Sequence, residues 1–191
     1  MMHGATDHAN QVGAELTPDA LLGNIARMLV LAPFEARVAS LADLPEPARP
    51  LLDHACGMTQ TLEARWGEVM QLHIHAQRLT EDRLYRLVAL RGADSGRVYE
   101  IAAIRIWLAR LPAAIRDAVG AAQHPLGRLL ADAAIAFESR AIAFLHAQCP
   151  ASFAQALGID STRALPGRIS RLYADNNAIA LCETVELLPE A

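Results

Sequence analysis

The chain has 191 residues, 53% apolar and 20% charged, with 11 Gly and 10 Pro. That composition suits one compact domain and excludes disordered, collagen-like and disulfide-scaffold classes. A domain of this length buries roughly 70% of the surface its unfolded chain exposes, enough to enclose a small-molecule cavity without metal or disulfides. The formal net charge of −4 argues against nucleic acid as a main partner.

All 17 basic residues other than histidine are arginine. The absence of lysine excludes Schiff-base, pyridoxal-phosphate and P-loop lysine chemistry. Each remaining cation is a planar guanidinium suited to gripping a carboxylate through two parallel hydrogen bonds, so an anionic carboxylate ligand is expected. Cys56, Cys149 and Cys182 fit neither a disulfide framework nor a zinc spacing, which points to a reducing cytoplasm. The start MMHGATDHANQVGAEL has no basic or apolar leader region. The most apolar stretches are broken by Asn24, Arg27, Glu138 and Arg140, so neither a signal peptide nor a membrane span is expected.

Residues 1–15 are polar and aperiodic and are expected to be flexible. Thr17-Pro18-Asp19 then reads as an N-cap with proline at the first helical position. It opens a helix over 17–32 with Leu21, Leu22, Ile25, Met28 and Leu29 on one stripe, stopped by Pro33. Leu44 to Pro50 is a proline-rich connector, and Leu51 to Glu63 a short helical or irregular piece. From Val69 the period becomes two, with Met70, Leu72 and Ile74 alternating with polar residues as in a half-buried strand.

Arg83 to Arg91 and Arg97 to Leu108 flank the turn sequence Gly92-Ala93-Asp94-Ser95-Gly96 and form a hairpin. Pro112 opens a helix through Ala121, and Pro125 a second, shorter one. The alanine-rich run from Ala131 to Gln148 suits helix and strand equally. Arg168 to Ala174 and Ala178 to Leu187, joined by Asp175-Asn176-Asn177, make a second hairpin. The expectation is a single α+β domain over 1–191, with an antiparallel sheet of about five or six strands and helices on one face.

Strand parity singles out two charges. Arg86 shares a face with Leu84, Val88 and Leu90, and Glu183 shares one with Ile179, Leu181, Val185 and Leu187. Both therefore point toward apolar surroundings, where each needs a partner or a polar cavity. Two readings stand: the residues pair inside the fold, or they mark opposite ends of a ligand cavity.

Five ordered motifs bear on that choice: Gly57-Met58-Thr59 followed by Glu63; Tyr85-Arg86-Leu87; Pro125-Leu126-Gly127-Arg128 with Leu130; Gly167-Arg168-Ile169-Ser170-Arg171-Leu172; and Cys182-Glu183 ahead of Leu188-Pro189. Together, over 51–189, they resemble the chorismate pyruvate-lyase family, which makes 4-hydroxybenzoate for ubiquinone. The helix before Pro33 has no counterpart there. The resemblance implies a chorismate lyase-like fold and cofactor-independent, metal-free elimination of pyruvate from chorismate by a cytoplasmic monomer. It assigns Met58 and Leu126 to the cavity lining, Arg86 to the ring carboxylate, and Glu183 to the hydroxyl end as acid/base. A second cation should meet the enolpyruvyl carboxylate, with Arg168, Arg128 and Arg105 as candidates.

Other signals are weaker. His73 and His75 could share an ion on one strand face, but they sit at the solvent parity. Cys56 and Cys182 lack nucleophile signatures, and Ser170 lacks a G-x-S-x-G elbow. The fold also resembles the effector-binding domain of a family of bacterial transcription regulators, so a non-catalytic module that senses or carries a small aromatic acid is the alternative function. The residues ahead of Leu51 are too few for the winged helix-turn-helix those regulators carry.

Overall fold

The computed structural model describes residues 18–30, 32, 34–121, 124–160, 162–174 and 178–189. Seven strands form one antiparallel sheet: β1 (Glu35–Ala39), β2 (Met70–Leu79), β3 (Arg83–Gly92), β4 (Val98–Trp107), β5 (Phe137–Gln148), β6 (Leu165–Ala174) and β7 (Ala180–Leu187). Their order is β1-β5-β6-β7-β4-β3-β2. The helices are α1 (Pro18–Leu29), α2 (Arg49–Leu52), α3 (Met58–Trp66), α4 (Ala113–Ala121), α5 (Leu126–Asp132) and α6 (Ala151–Leu157). The α+β class and the single antiparallel sheet are as expected from the sequence.

The strand number exceeds the expectation. The alanine-rich run becomes β5 because it lies between two partners, β1 on one side and β6 on the other, so pairing overrides its ambiguous propensity. Strand β1 is a five-residue, mostly exposed edge without clean alternation, and neither it nor α6 was expected. Thr17, Pro33 and the turn Asp175-Asn176-Asn177 lie outside the described residues.

Register sorts the central side chains into two layers. Arg86, Ile104 and Thr184 are cross-strand partners through β3, β4 and β7, and Ser170 of β6 extends the row. Helices α2, α3, α4 and α5 lie over this layer, their Leu52, Met58, Leu62, Ile115, Val119 and Leu130 packing against Leu90, Leu84, Ile106 and Leu172. The alternate layer holds Leu87, Ala89, Ala103, Ile169 and Val185. It packs against Leu21, Leu22 and Ile25 of α1 and Phe153 and Leu157 of α6. The apolar stripe of the additional N-terminal helix thus buries the sheet's second face, and β7 is buried along its whole length. No helix among the described residues is long and apolar enough to cross a membrane.

Gly167 marks a close approach of β6 to the backbone of β7. A Cβ there would collide with the Glu186 carbonyl oxygen and the Leu187 side chain on β7, and a backbone atom cannot swing aside. Gly167→Ala should therefore destabilise the fold by about 1–3 kcal/mol, the usual range for overpacking; a midpoint in urea unchanged from the parent would contradict this.

Candidate functional site

Between the first layer of the sheet and α3 and α5 lies a cavity with about 730 Å³ of space free of protein atoms, open solvent at its mouth included. Its floor is made by alternate residues of three central strands: Arg86, Val88 and Leu90 of β3; Glu100, Ala102, Ile104 and Ile106 of β4; and Cys182, Thr184 and Glu186 of β7. Met58 and Leu126 line it, as the resemblance implied, beside Gly57, Thr59 and Gly127. Gly57 has no side chain to cap α3, so the first N–H groups of that helix are left for a ligand or water to satisfy.

Arg86 is 3% exposed. Its Nε donates to Gln77 Oε1 at 3.2 Å and its Nη2 donates to the Val119 carbonyl in the last turn of α4. Both acceptors are neutral, and no ion pair to Arg86 occurs among the described residues. Burial alone lowers its pKa. The residue is held in place by groups that leave its charge uncompensated.

Four residues along β4 from the partner of Arg86, hence about 13 Å up the strand direction, the character of the cavity reverses. Arg168 is fully buried and pairs through Nε with Glu186 Oε2 at 2.5 Å. Its Nη1 donates to the carbonyls of Leu52 and His54 at 2.8 and 3.0 Å, and its Nη2 to Ser139 Oγ at 3.3 Å. Ser170 Oγ donates to Glu186 Oε2 at 3.2 Å and lies 2.7 Å from Thr184 Oγ1. Glu100, 3% exposed, lines the same space with no hydrogen bond from a described residue. Burial, and then the nearby Glu186 carboxylate, push its pKa well above the ordinary value, and Arg168 offsets this only in part. Burial at this position therefore favours the neutral form of the Glu100 carboxyl.

Glu183 is also buried, but on the opposite layer. It pairs with Arg105 and with Arg171, the latter at 2.9 Å, and it is not among the residues lining the cavity. The structure does not bring Arg86 and Glu183 together: β7 is buried on both faces, so apolar neighbours at the same parity do not say which face is the cavity. The residues that sequence reasoning passed over are Glu100 and Glu186. Glu100 shares parity with Ala102, Ile104 and Ile106, the same signal that exposed Arg86.

The candidates for a second cation are all occupied. Arg128 forks onto Glu63 at 2.5 and 2.6 Å, Arg105 holds Glu183, and Arg168 holds Glu186. Cys182 is buried and its thiol pKa is raised by desolvation, and burial likewise raises that of Cys149 to about 12, the opposite of a reactive thiolate. His75 packs edge-on against Phe153 with ring centroids 4.8 Å apart.

No family model matches the chain, and no curated protein matches it. Among solved structures it is similar to PhnF from Mycobacterium smegmatis, with 18% identity over 70% of this chain and a TM-score of 0.51. It is also similar to the effector domain of PhnF from the same organism, with 17% identity over 71% of this chain and a TM-score of 0.51. The match spans 64% of the length of the first and 89% of the second. This likeness shows the fold, which is chorismate lyase-like as expected.

The expected membership of the chorismate pyruvate-lyase family, and with it an enzyme, is overturned. Two structures that match are PhnF and its effector domain, and neither is a lyase. The site agrees: a dicarboxylate held on Arg86 would meet, at its far end, two acids and no free arginine. The chorismate substrate, the 4-hydroxybenzoate product and the monomer acting alone without nucleic acid are withdrawn with the enzyme.

The burial of Glu100 has a measurable cost. Because its pKa is raised in the fold, stability is highest below the ordinary carboxyl value of 4.5 and falls as pH rises from there toward the raised value. Glu100→Gln removes that loss. The melting temperature of the variant minus that of the parent should be smallest below pH 4.5 and grow as pH rises above it; a pH-independent difference would exclude it.

Proposed function

We propose that the described residues form one non-catalytic ligand-binding module whose cavity takes a small, mostly apolar anion, best matched by a small aromatic acid. The observation that carries this is Arg86, a buried guanidinium without an acidic partner among the described residues, on the wall of a chamber whose near end is lined mostly by apolar side chains. Leaving such a charge uncompensated costs several kcal/mol, and a ligand carboxylate removes that cost through a charge-assisted pair. Val88, Leu90, Leu72 and Ile104 then offer apolar surface to a ring, with Met58 and Leu126 closing over it. In this reading Glu183 clamps Arg105 and Arg171 on the far layer and takes no part in binding.

Calorimetric titration with benzoate, 4-methylbenzoate and the neutral analogue benzamide tests this. The two acids should bind and benzamide should not. Arg86→Met should weaken the acids by 30-fold or more, the loss of one buried charge-assisted contact, while Glu183→Gln in folded protein leaves affinity within about threefold, as for a site without contact to the ligand. Acid binding that survives Arg86→Met, or equal binding of benzamide, would defeat the proposal.

A further inference from the structure

The polar end of the cavity is chemically incomplete. Four of the five N–H donors of Arg168 are engaged: Nε by Glu186, both of Nη1 by two carbonyls and one of Nη2 by Ser139. Glu186 accepts from Arg168 and Ser170 through Oε2, and no described residue donates to its Oε1. Glu100 is left as a buried carboxyl lining the cavity with no hydrogen-bonding partner among the described residues. Buried polar groups in native folds are almost always paired, so the partner of Glu100 has to come from within the cavity.

Resting on the reading of the cavity as an acid-binding site, we propose that Glu100 is its specificity-determining residue, taking an uncharged hydrogen-bonding group, such as a hydroxyl, at the end of the ligand remote from Arg86. Charge balance favours an uncharged group over an ammonium. With Glu100 protonated, Arg168 and Glu186 neutralise each other and Arg86 is neutralised by the ligand anion, so no buried charge is unpaired. An ammonium would have to be desolvated and to displace the Glu100 proton. A carboxyl group also donates and accepts at once, so a hydroxyl can satisfy both of its functions. An alkyl group there would leave Glu100 unpaired, which is how hydrogen-bonding sites reject apolar analogues. The groups facing Glu100 are Glu186 of β7 and Arg168 of β6, with the His54 ring, its own pKa lowered by burial and by Arg168, on the segment above them.

Three para-substituted benzoates of nearly equal size separate the possibilities: 4-(hydroxymethyl)benzoate, 4-ethylbenzoate and 4-(aminomethyl)benzoate. Calorimetry at pH 7 in two buffers of different ionisation enthalpy reads affinity and proton exchange together. The wild type should bind the hydroxymethyl compound at least tenfold more tightly than either other compound and without proton release. Glu100→Gln, which keeps a neutral donor and acceptor, should retain the preference, and Glu100→Leu should reduce it to within about twofold, since only the polar contact is removed. Equal binding of the ethyl compound by the wild type overturns the role of Glu100 while leaving the acid-binding reading intact. Tighter binding of the aminomethyl compound with release of one proton shows a cation subsite instead and also overturns it. Binding of none of the three overturns both.

Discussion

The architecture of the cavity depends on one guanidinium, that of Arg168. Its side chain has no exposed surface, and its bonds reach three separate parts of the chain: β7 through Glu186, β5 through Ser139, and the segment after α2 through the carbonyls of Leu52 and His54. That segment runs directly into Gly57 and the start of α3, which lies over the sheet. Removing such a buried ion leaves its partners charged or unsatisfied, at a cost of about 3–5 kcal/mol in comparable systems. Arg168 therefore positions both the acid on the cavity floor and the helix above it. Lysine, a point charge with three donors, could not address acceptors in so many directions within one plane.

The second consequence is charge segregation. Arg86, Glu100 and Glu186 line the cavity and Arg168 lies behind Glu186, a formally neutral set that is not paired evenly. Arg168 is spent on Glu186, which leaves Arg86 alone at one end and Glu100 alone at the other. Neutral acceptors, the Gln77 amide and the carbonyl of Val119, fix the orientation of Arg86 without cancelling its charge. That is the arrangement a binding site needs: a rigid ion with an unmet electrostatic demand in a medium of low dielectric.

Much of the fold was legible in the sequence. The hairpin around Gly92–Gly96, the β6 and β7 strands, and the helices opened by Pro112 and Pro125 follow from alternation and proline placement, which are local signals. Strands β1 and β5 were less so, because their identity comes from pairing with each other across 100 residues of chain rather than from their own composition. The site was half legible. Arg86 announced itself by breaking an apolar parity, and Met58 and Leu126 came from ordered motifs. Parity could not say on which face of the sheet Glu183 lies, because α1 buries the second face and makes both sides of β7 apolar. Glu100 carried the same broken parity as Arg86.

The fold alone is compatible with catalysis or with sensing, and it is the charges that separate the two here. A lyase acting on a dicarboxylate needs a second free cation near the leaving group. This chain places Glu100 and Glu186 at the far end from Arg86, with their one arginine already engaged. A second ligand carboxylate at that end would be desolvated without a free cation to meet it, whereas a monoanion with an apolar body meets one cation, a hydrophobic surface and a neutral acid in sequence. In the proposed reading the geometry that disfavours a dicarboxylate is thus the same geometry that suits a single anionic head, so admission and exclusion rest on one set of buried residues.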